Sequence, residues 1–238
     1  MSLLRNLEEI KKTQKPLEWW TMIFIYRISG PFLAFIKDTP IQPYHLTLAS
    51  LAALIAASSF IAFGSYPALV LAAILIQLGL VFDNADGQLA RLRKSTSVFG
   101  HWLDSTCDRL GELSVIMSLT YRFSKINNQA LFLGFYSLFL IYYYHGSEVR
   151  LLPLSEPQEK KDAEVLEGLW VKEIMALKNR LRWIPFNLGE QHFFISFFLL
   201  LNRLDLFFYF FPLYGSLTII AFIVYKHYLY QLDLRQNH

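Results

Sequence analysis

The sequence has few charged residues and almost no cysteine. Of its 238 residues 17% are charged, whereas a soluble domain carries about 25%. The single cysteine excludes a disulfide framework and a cysteine-rich zinc site. Large apolar groups are abundant, and the 21 Phe, 13 Tyr and 5 Trp exclude an intrinsically disordered chain. These features leave either a membrane protein or an unusually apolar soluble protein.

The charges are missing in long, continuous runs. No Asp, Glu, Lys or Arg occurs in the 44 residues from Thr39 to Phe82, enough for two spanning helices of about 20 residues each. The runs 126–147 and 206–225 are each long enough for one more span. The sequence therefore predicts an all-α integral membrane protein with six transmembrane helices, at about 46–63, 67–90, 98–121, 126–146, 187–203 and 206–228.

The segment before the first span has a different character. Residues 17–36 contain Trp19 and Trp20, and Arg27 interrupts their apolar run. This pattern predicts an interfacial amphipathic helix, with a seventh span as the alternative. We expect one membrane domain over 1–238, with an N-terminal interfacial segment at 1–45 and a cytoplasmic amphipathic loop at 148–186.

Basic residues predict the orientation, because they concentrate in cytoplasmic loops. With the N-terminus inside, the six spans place 18 of the 22 Lys and Arg residues on the inner side. An even number of spans returns the C-terminus to that side. Both termini are therefore expected to be cytoplasmic.

Four aspartates stand out against this apolar background. Asp83 and Asp86 lie near the end of the second predicted span, and Asp104 and Asp108 lie near the start of the third. Helical residues three or four apart share a face, and a short loop makes the two spans antiparallel. The four carboxylates should therefore converge and repel one another, which hard divalent cations such as Mg²⁺ or Mn²⁺ relieve. An ion-pair network with neighbouring arginines is the structural alternative.

The residues around these aspartates suit phosphate chemistry. Two bound metal ions stabilise the attacking and leaving oxygens of a displacement at phosphorus. Gly87 and Ala90 allow a close approach, and Arg91 lies one turn beyond Gly87, where it can hold a diphosphate. A cation transporter or channel is the competing class, since carboxylates within membranes also mark ion paths. Transporter sites lie near the midplane, however, and these aspartates lie at the cytoplasmic end.

The spacing of these residues resembles the signature of the CDP-alcohol phosphotransferase family. Its fixed positions are Asp83, Asp86, Gly87, Ala90, Arg91, Gly100, Asp104 and Asp108. The resemblance implies that the four aspartates bind two Mg²⁺ or Mn²⁺ ions and that Asp108 is also the general base. It implies donor contacts from Gly87, Ala90, Arg91, Ser97, Gly100 and Thr47. At the start of the first span Pro43 and Thr47 match the family's pattern, and Tyr44 stands where the family often has Asn.

The resemblance also implies a reaction. A phosphatidyl group would pass from a CDP-linked lipid, CDP-diacylglycerol, to a small alcohol, with release of CMP. Residues 103–109 resemble the branch of the family that uses inositol phosphate more than the branch that uses glycerol phosphate. The candidate acceptor contacts are Arg150, Arg180 and Arg182. Those arginines have an alternative explanation as ordinary cytoplasmic basic residues. A homodimer in the bacterial inner membrane is expected, with membrane lipid and no nucleic acid as partner.

Overall fold

A computed structural model describes residues 8–14, 19–151 and 186–236. Over these residues the chain is helical and contains no strand. Residues 8–11 form one helical turn, and a π-helical turn at Thr21–Ile25 leads into the first helix. The helices are α1 (Tyr26–Ile36), α2 (Pro43–Phe63), α3 (Tyr66–Leu92), α4 (Val98–Ser124), α5 (Ala130–Leu151), α6 (Leu188–Leu200) and α7 (Leu204–Gln236).

Three helices are long and apolar enough to cross a membrane: α2, α3 and the part of α7 at Leu204–Val224. The apolar helices Thr21–Ile36, Ala130–His145 and Leu188–Leu200 are shorter. This composition supports the predicted all-helical integral membrane protein. Six spans, an interfacial first helix and a single domain stay predictions. The predicted cytoplasmic loop at 148–186 falls mostly on 152–185, outside the described residues.

The chain divides into two compact units, and the first holds the candidate site. This unit comprises Met1–Gly134 and Asn187–Phe208. Within it α2 packs closely against both α3 and α4, and α3 packs against α6. Leu54 of α2 is buried between Gly79 of α3 and Gly111 of α4. Small residues at these crossings let the helix backbones approach, as is common in membrane proteins.

Both helix ends are capped at the short connection between α3 and α4. At the end of α3 the Ser95 N–H donates to the Ala90 carbonyl and the Lys94 N–H to the Arg91 carbonyl. Lys94 has a φ of 52°, which completes a Schellman motif. Ser97 begins α4 as its N-cap and accepts a hydrogen bond from the Gly100 N–H at 3.0 Å. The chain therefore reverses within a few residues.

Arg93 fixes this reversal to the end of α1. Its Nη2 atom donates to the carbonyls of Lys37 and Thr39, both at 2.8 Å, and its Nη1 atom to the carbonyl of Ile41. These carbonyls are left without helical partners where α1 ends, and the guanidinium supplies the donors. One side chain therefore ties the α3–α4 loop to the α1–α2 connection.

The second unit, Phe135–Phe186 with Tyr209–His238, is built around aromatic side chains. The ring of Phe186 packs against those of Phe211 and Tyr214, with centroids 4.9 and 5.9 Å apart. A Cβ at Gly215 would lie 2.8 Å from Phe186 Cζ, so glycine provides the room for that ring. Tyr136 and Ser216 share a hydrogen bond of 2.8 Å.

Candidate active site

Three of the predicted metal ligands meet between α3 and α4. One carboxylate oxygen from each of Asp83, Asp104 and Asp108 lies within 4.8 Å of the other two. Among the described residues, α3 and α4 make no extensive backbone contact with each other, because each packs against α2. The three carboxylates therefore meet between two helices whose backbones are not in close contact.

Asp86, the fourth predicted ligand, is held by α2. It is 5% exposed and accepts a hydrogen bond from the Thr47 hydroxyl. It is not one of the three carboxylates that meet, but it lies close enough to Asp104 and Asp108 to interact with their charges. Thr47 is thus placed against a carboxylate, and its contact with a nucleotide stays a prediction.

Arg91 is held in place by a segment that the motif does not include. Its Nε atom donates to the carbonyl of Thr13 at 2.8 Å. The same segment is anchored by Ile10, which is 1% exposed and packs into a cluster with residues of α1, α2 and α3. The Nη1 atom of Arg91 lies 3.2 Å from the position of a Cβ on Gly87. Glycine therefore leaves room for the guanidinium beside the carboxylates.

The remaining predicted donor contacts lie where α3 ends and α4 begins. Ala90 is half-buried, and its carbonyl accepts the Schellman hydrogen bond of α3. The Ser97 hydroxyl oxygen caps α4, and its own hydrogen stays available for donation. Gly100 supplies the N–H for that cap, and a Cβ there would lie 3.1 Å from Ser97 Oγ.

The comparison with known families agrees with this arrangement. The family model described as CDP-alcohol phosphatidyltransferase matches residues 41–148. That range contains all four aspartates and every predicted donor contact. Residues 41–148 match this family as a CDP-alcohol phosphatidyltransferase domain.

Two curated relatives resemble parts of the chain. An archaetidylinositol phosphate synthase of Pyrococcus horikoshii is 42% identical over 50 residues, which are 21% of this chain and 27% of that protein. A bifunctional IPC transferase and DIPP synthase of Rubrobacter xylanophilus is 34% identical over 84 residues, 35% of this chain and 19% of that protein. The chain thus spans about a quarter of the length of the first relative and about a fifth of the length of the second.

The carboxylates of the phosphatidyltransferase domain fit a divalent cation. The Oδ1 atom of Asp104 is buried and has no hydrogen-bond partner in the part of the chain that the structure describes. Unpaired buried carboxylate oxygens are costly, and three aspartates that meet offer the all-oxygen ligands that Mg²⁺ and Mn²⁺ prefer. Asp83, Asp104 and Asp108 can therefore hold a metal ion.

The predicted acceptor contacts cannot be placed in the same way. Arg180 and Arg182 lie outside the described residues, and only the backbone of Arg150 is described, within α5. Their contact with an acceptor stays a prediction.

The sequence marks Arg109 and Glu112 as charged residues within the third predicted span, but it does not single out His192. Arg109 and Glu112 of α4 form an ion pair of 2.7 Å, and Glu112 is 2% exposed. His192 of α6 is also 2% exposed. Helical spacing places Glu112 on the face of Asp104 and Asp108, but no local signal links His192 to that face.

Proposed function

We propose that this chain is a metal-dependent enzyme of phospholipid synthesis, which transfers a phosphatidyl group from a CDP-linked lipid to an alcohol and releases CMP. The observation that carries the proposal is the cluster of Asp83, Asp104 and Asp108 inside a CDP-alcohol phosphatidyltransferase domain. The two relatives are named as a synthase and a transferase, which favours this function over a cation transporter.

The aspartates would hold two Mg²⁺ or Mn²⁺ ions. Asp83, Asp104 and Asp108 supply clustered oxygens, and Asp86, oriented by Thr47, completes the set. When bound, such ions neutralise phosphate charge and stabilise the attacking and leaving oxygens. In the transfer, Asp108 takes the proton of the acceptor hydroxyl. The acceptor oxygen then bonds to the lipid phosphorus as the bond from that phosphorus to the CMP oxygen breaks.

The other motif residues would bind the donor nucleotide. Arg91 lies over Gly87 beside the carboxylates, where its guanidinium can pair with the diphosphate. Ser97, Gly100 and Ala90 lie where α3 ends and α4 begins and would contact the cytidine part, together with Thr47 from α2.

CDP-diacylglycerol is the expected donor, and an apolar groove lies along the same helix as Asp83. It has a volume of about 290 Å³ and is lined by side chains including Phe24, Ile28, Leu78 and Val81. Val81 and Leu78 precede Asp83 on α3 by less than two helical turns. These residues lie on the face of α3 away from Asp83, so the groove is an apolar surface apart from the carboxylates, and the lipid donor is expected from the family resemblance.

The setting would be a six-span chain in a bacterial inner membrane. The bias of basic residues supports a cytoplasmic site with both termini on that side. The acceptor we favour is an inositol phosphate, as the name of the archaeal relative suggests. Arg150, Arg180 and Arg182 stay candidates for binding its phosphate, and a homodimer stays a prediction from the family resemblance.

The experiment is a CMP-release assay on the purified chain in detergent with CDP-diacylglycerol. The acceptors offered are inositol phosphate, inositol, glycerol phosphate, serine and choline. We expect release with an acceptor present, its loss with a chelator and its return with Mg²⁺ or Mn²⁺. Release that is unaffected by the chelator, or no release with any acceptor, would contradict the proposal.

A further inference from the structure

The apolar groove beside α3 lies within the first unit, on the side away from the carboxylates. Its walls come from α1 and the turn before it, from α3 and from α6. Ala73 and Val81 are the first and last residues of α3 that line it, about 12 Å apart along the helix axis. Its volume of about 290 Å³ is roughly twice that of an engineered apolar cavity that binds benzene. The groove is therefore large enough for a hydrocarbon chain.

The polar groups that border the groove are paired with one another. Gln77 Oε1 accepts a hydrogen bond of 2.9 Å from Trp20 Nε1. Gln77 Nε2 donates to Ser196 Oγ at 2.8 Å and to the His192 carbonyl at 3.0 Å. The Ser196 hydroxyl donates in turn to the Ala73 carbonyl at 3.3 Å. These donors are thus used within the protein, and the groove offers its occupant an apolar surface.

The helix α1 runs alongside α3 in the same direction. Three side-chain hydrogen bonds show this, since the residues they join advance together along both segments: Trp20 with Gln77, Ser29 with Gln88, and Lys37 with Arg93. Because α3 is long and apolar enough to cross a membrane, the outer side of α1 faces the surroundings of that helix. The large apolar side chains exposed there are Met22, Ile23, Phe24, Ile28 and Phe35.

Arg27 is the one charged residue on this exposed face of α1. Phe24, Arg27 and Ile28 are all exposed and follow at helical spacing, so they share a face. Phe24 and Ile28 line the groove, which places Arg27 at its edge. Arg27 has no hydrogen bond or ion pair with the rest of the chain as far as the structure describes it. A charged side chain among apolar ones in a membrane needs a counter-charge.

The contact between α1 and α3 gives the level of this guanidinium. Ser29 is hydrogen-bonded to Gln88, so Arg27 lies at about the level of Asp86 on α3. Val81, where the groove begins, is about 7–8 Å further from the end of α3. A positive charge and an apolar groove therefore follow one another along the same side of the molecule.

We propose that Arg27 and the groove bind one phospholipid of the bilayer, separate from the catalytic site. The phosphate pairs with the guanidinium, which suits phosphate oxygens geometrically, and an acyl chain fills the groove. The lipid then covers the outer face of α1, which lies along α3 rather than flat in the interface. The inference does not depend on the transfer reaction, because the groove lies on the face of α3 opposite Asp83.

A second copy of the chain fits this surface less well than a phospholipid does. None of the described residues that line the groove is acidic. Two copies packed here about a twofold axis would bring both Arg27 side chains into one interface without a counter-charge. A phospholipid brings that charge with its own phosphate.

The test is a titration of the purified chain in detergent with dioleoylphosphatidylglycerol, read by native mass spectrometry. Arg27→Gln should weaken binding about 10-fold or more, the range for a lost charge-assisted hydrogen bond. Arg27→Lys keeps the charge and should retain most of the affinity. Lys12→Gln removes an exposed positive charge outside the site and should bind as the parent does.

A second pair of variants tests the groove itself. Leu78 and Leu71 of α3 are 41% and 42% exposed, and of the two Leu78 lines the groove. Leu78→Trp should fill the groove and weaken binding about 10-fold or more, because displacing even two methylene groups has an effect of that size. Leu71→Trp makes the same change outside the groove and should leave binding unchanged.

The outcomes decide between three occupants of this surface. Equal binding by Arg27→Gln and Lys12→Gln, or by Leu78→Trp and Leu71→Trp, would mean that the lipid binds without a defined site, and the inference would be wrong. A parent dimer that Leu78→Trp converts to a monomer, with lipid binding unchanged, would assign the groove to a second copy. Because the titration uses no CMP release, failure of the proposed transferase would leave this result intact.

Discussion

Replacing Gly111 with alanine tests the helix packing that positions Asp108. A Cβ at Gly111 would lie 2.3 Å from Leu54 Cδ1 on α2. Ordinary carbon contacts are about 3.5–4.0 Å. Leu54 has little room to move, because it is buried and a Cβ at Gly79 of α3 would already lie 3.4 Å from its Cδ2. The methyl group must therefore push α4 away from α2.

The change in the free energy of unfolding has two parts, a loss from overpacking and a gain from helix propensity. Overpacking a filled interior costs about 1–3 kcal/mol. Alanine also stabilises a helix by about 0.8–1 kcal/mol relative to glycine, because of its higher helix propensity. Gly30 of α1 is the comparison position, since a Cβ there meets nothing within 4 Å beyond its chain neighbours, although Pro31 follows it and reduces the gain. Gly111→Ala should therefore be less stable than Gly30→Ala by about 1–3 kcal/mol.

The assay is unfolding in detergent micelles, with CMP release measured in parallel. Gly111→Ala should also lower kcat, because Asp108 lies three residues away on the same helix. In a Leu54→Ala background the clash is absent, and Gly111→Ala should then stabilise the protein as Gly30→Ala does. Equal stabilisation by both alanines in the parent background would refute the close packing of α2 against α4.

Three other changes test the supports of the site. Thr47→Val removes the hydrogen bond to Asp86 and should raise the Mn²⁺ concentration for half-maximal activity about 10-fold or more, whereas Thr47→Ser should not. Ile10→Asp places a charge in a buried cluster and should release the segment whose Thr13 carbonyl holds Arg91. The KM for the donor should then rise. An unchanged KM would contradict the role of this segment in positioning Arg91. Arg93→Gln should destabilise the protein by about 1–3 kcal/mol in detergent unfolding, and Arg93→Lys should recover only part of this.

The parts of the site that sequence alone predicted depend on local geometry. Helical spacing places Asp104 and Asp108 on one face, and the brevity of the connecting loop brings Asp83 to them. The same rules identify charge-free runs as helices, three of which are long enough to span a membrane. These inferences need no knowledge of how distant helices pack.

The parts that sequence did not predict depend on distant contacts. We expected α3 and α4 to be antiparallel neighbours, and three of their carboxylates do meet, but the packing of α2 against both helices at Gly79 and Gly111 has no local pattern that identifies it. The hydrogen bond from Thr47 to Asp86 was not predicted, and the contact of Thr47 with the nucleotide stays a prediction. The partner of Arg91 is a backbone carbonyl 78 residues away, and such an acceptor has no sequence signature.

The central claim is that Asp83, Asp104 and Asp108 bind the metal ion for phosphatidyl transfer. The most direct measurement is Mn²⁺-dependent CMP release by the parent chain and by Asp108→Asn, with Asp38→Asn at an exposed position as the control. We predict that Asp108→Asn folds but loses at least about 100-fold in rate, since it lacks both a ligand and the base, while Asp38→Asn retains full activity. Substantial Mn²⁺-dependent turnover by Asp108→Asn would contradict the account.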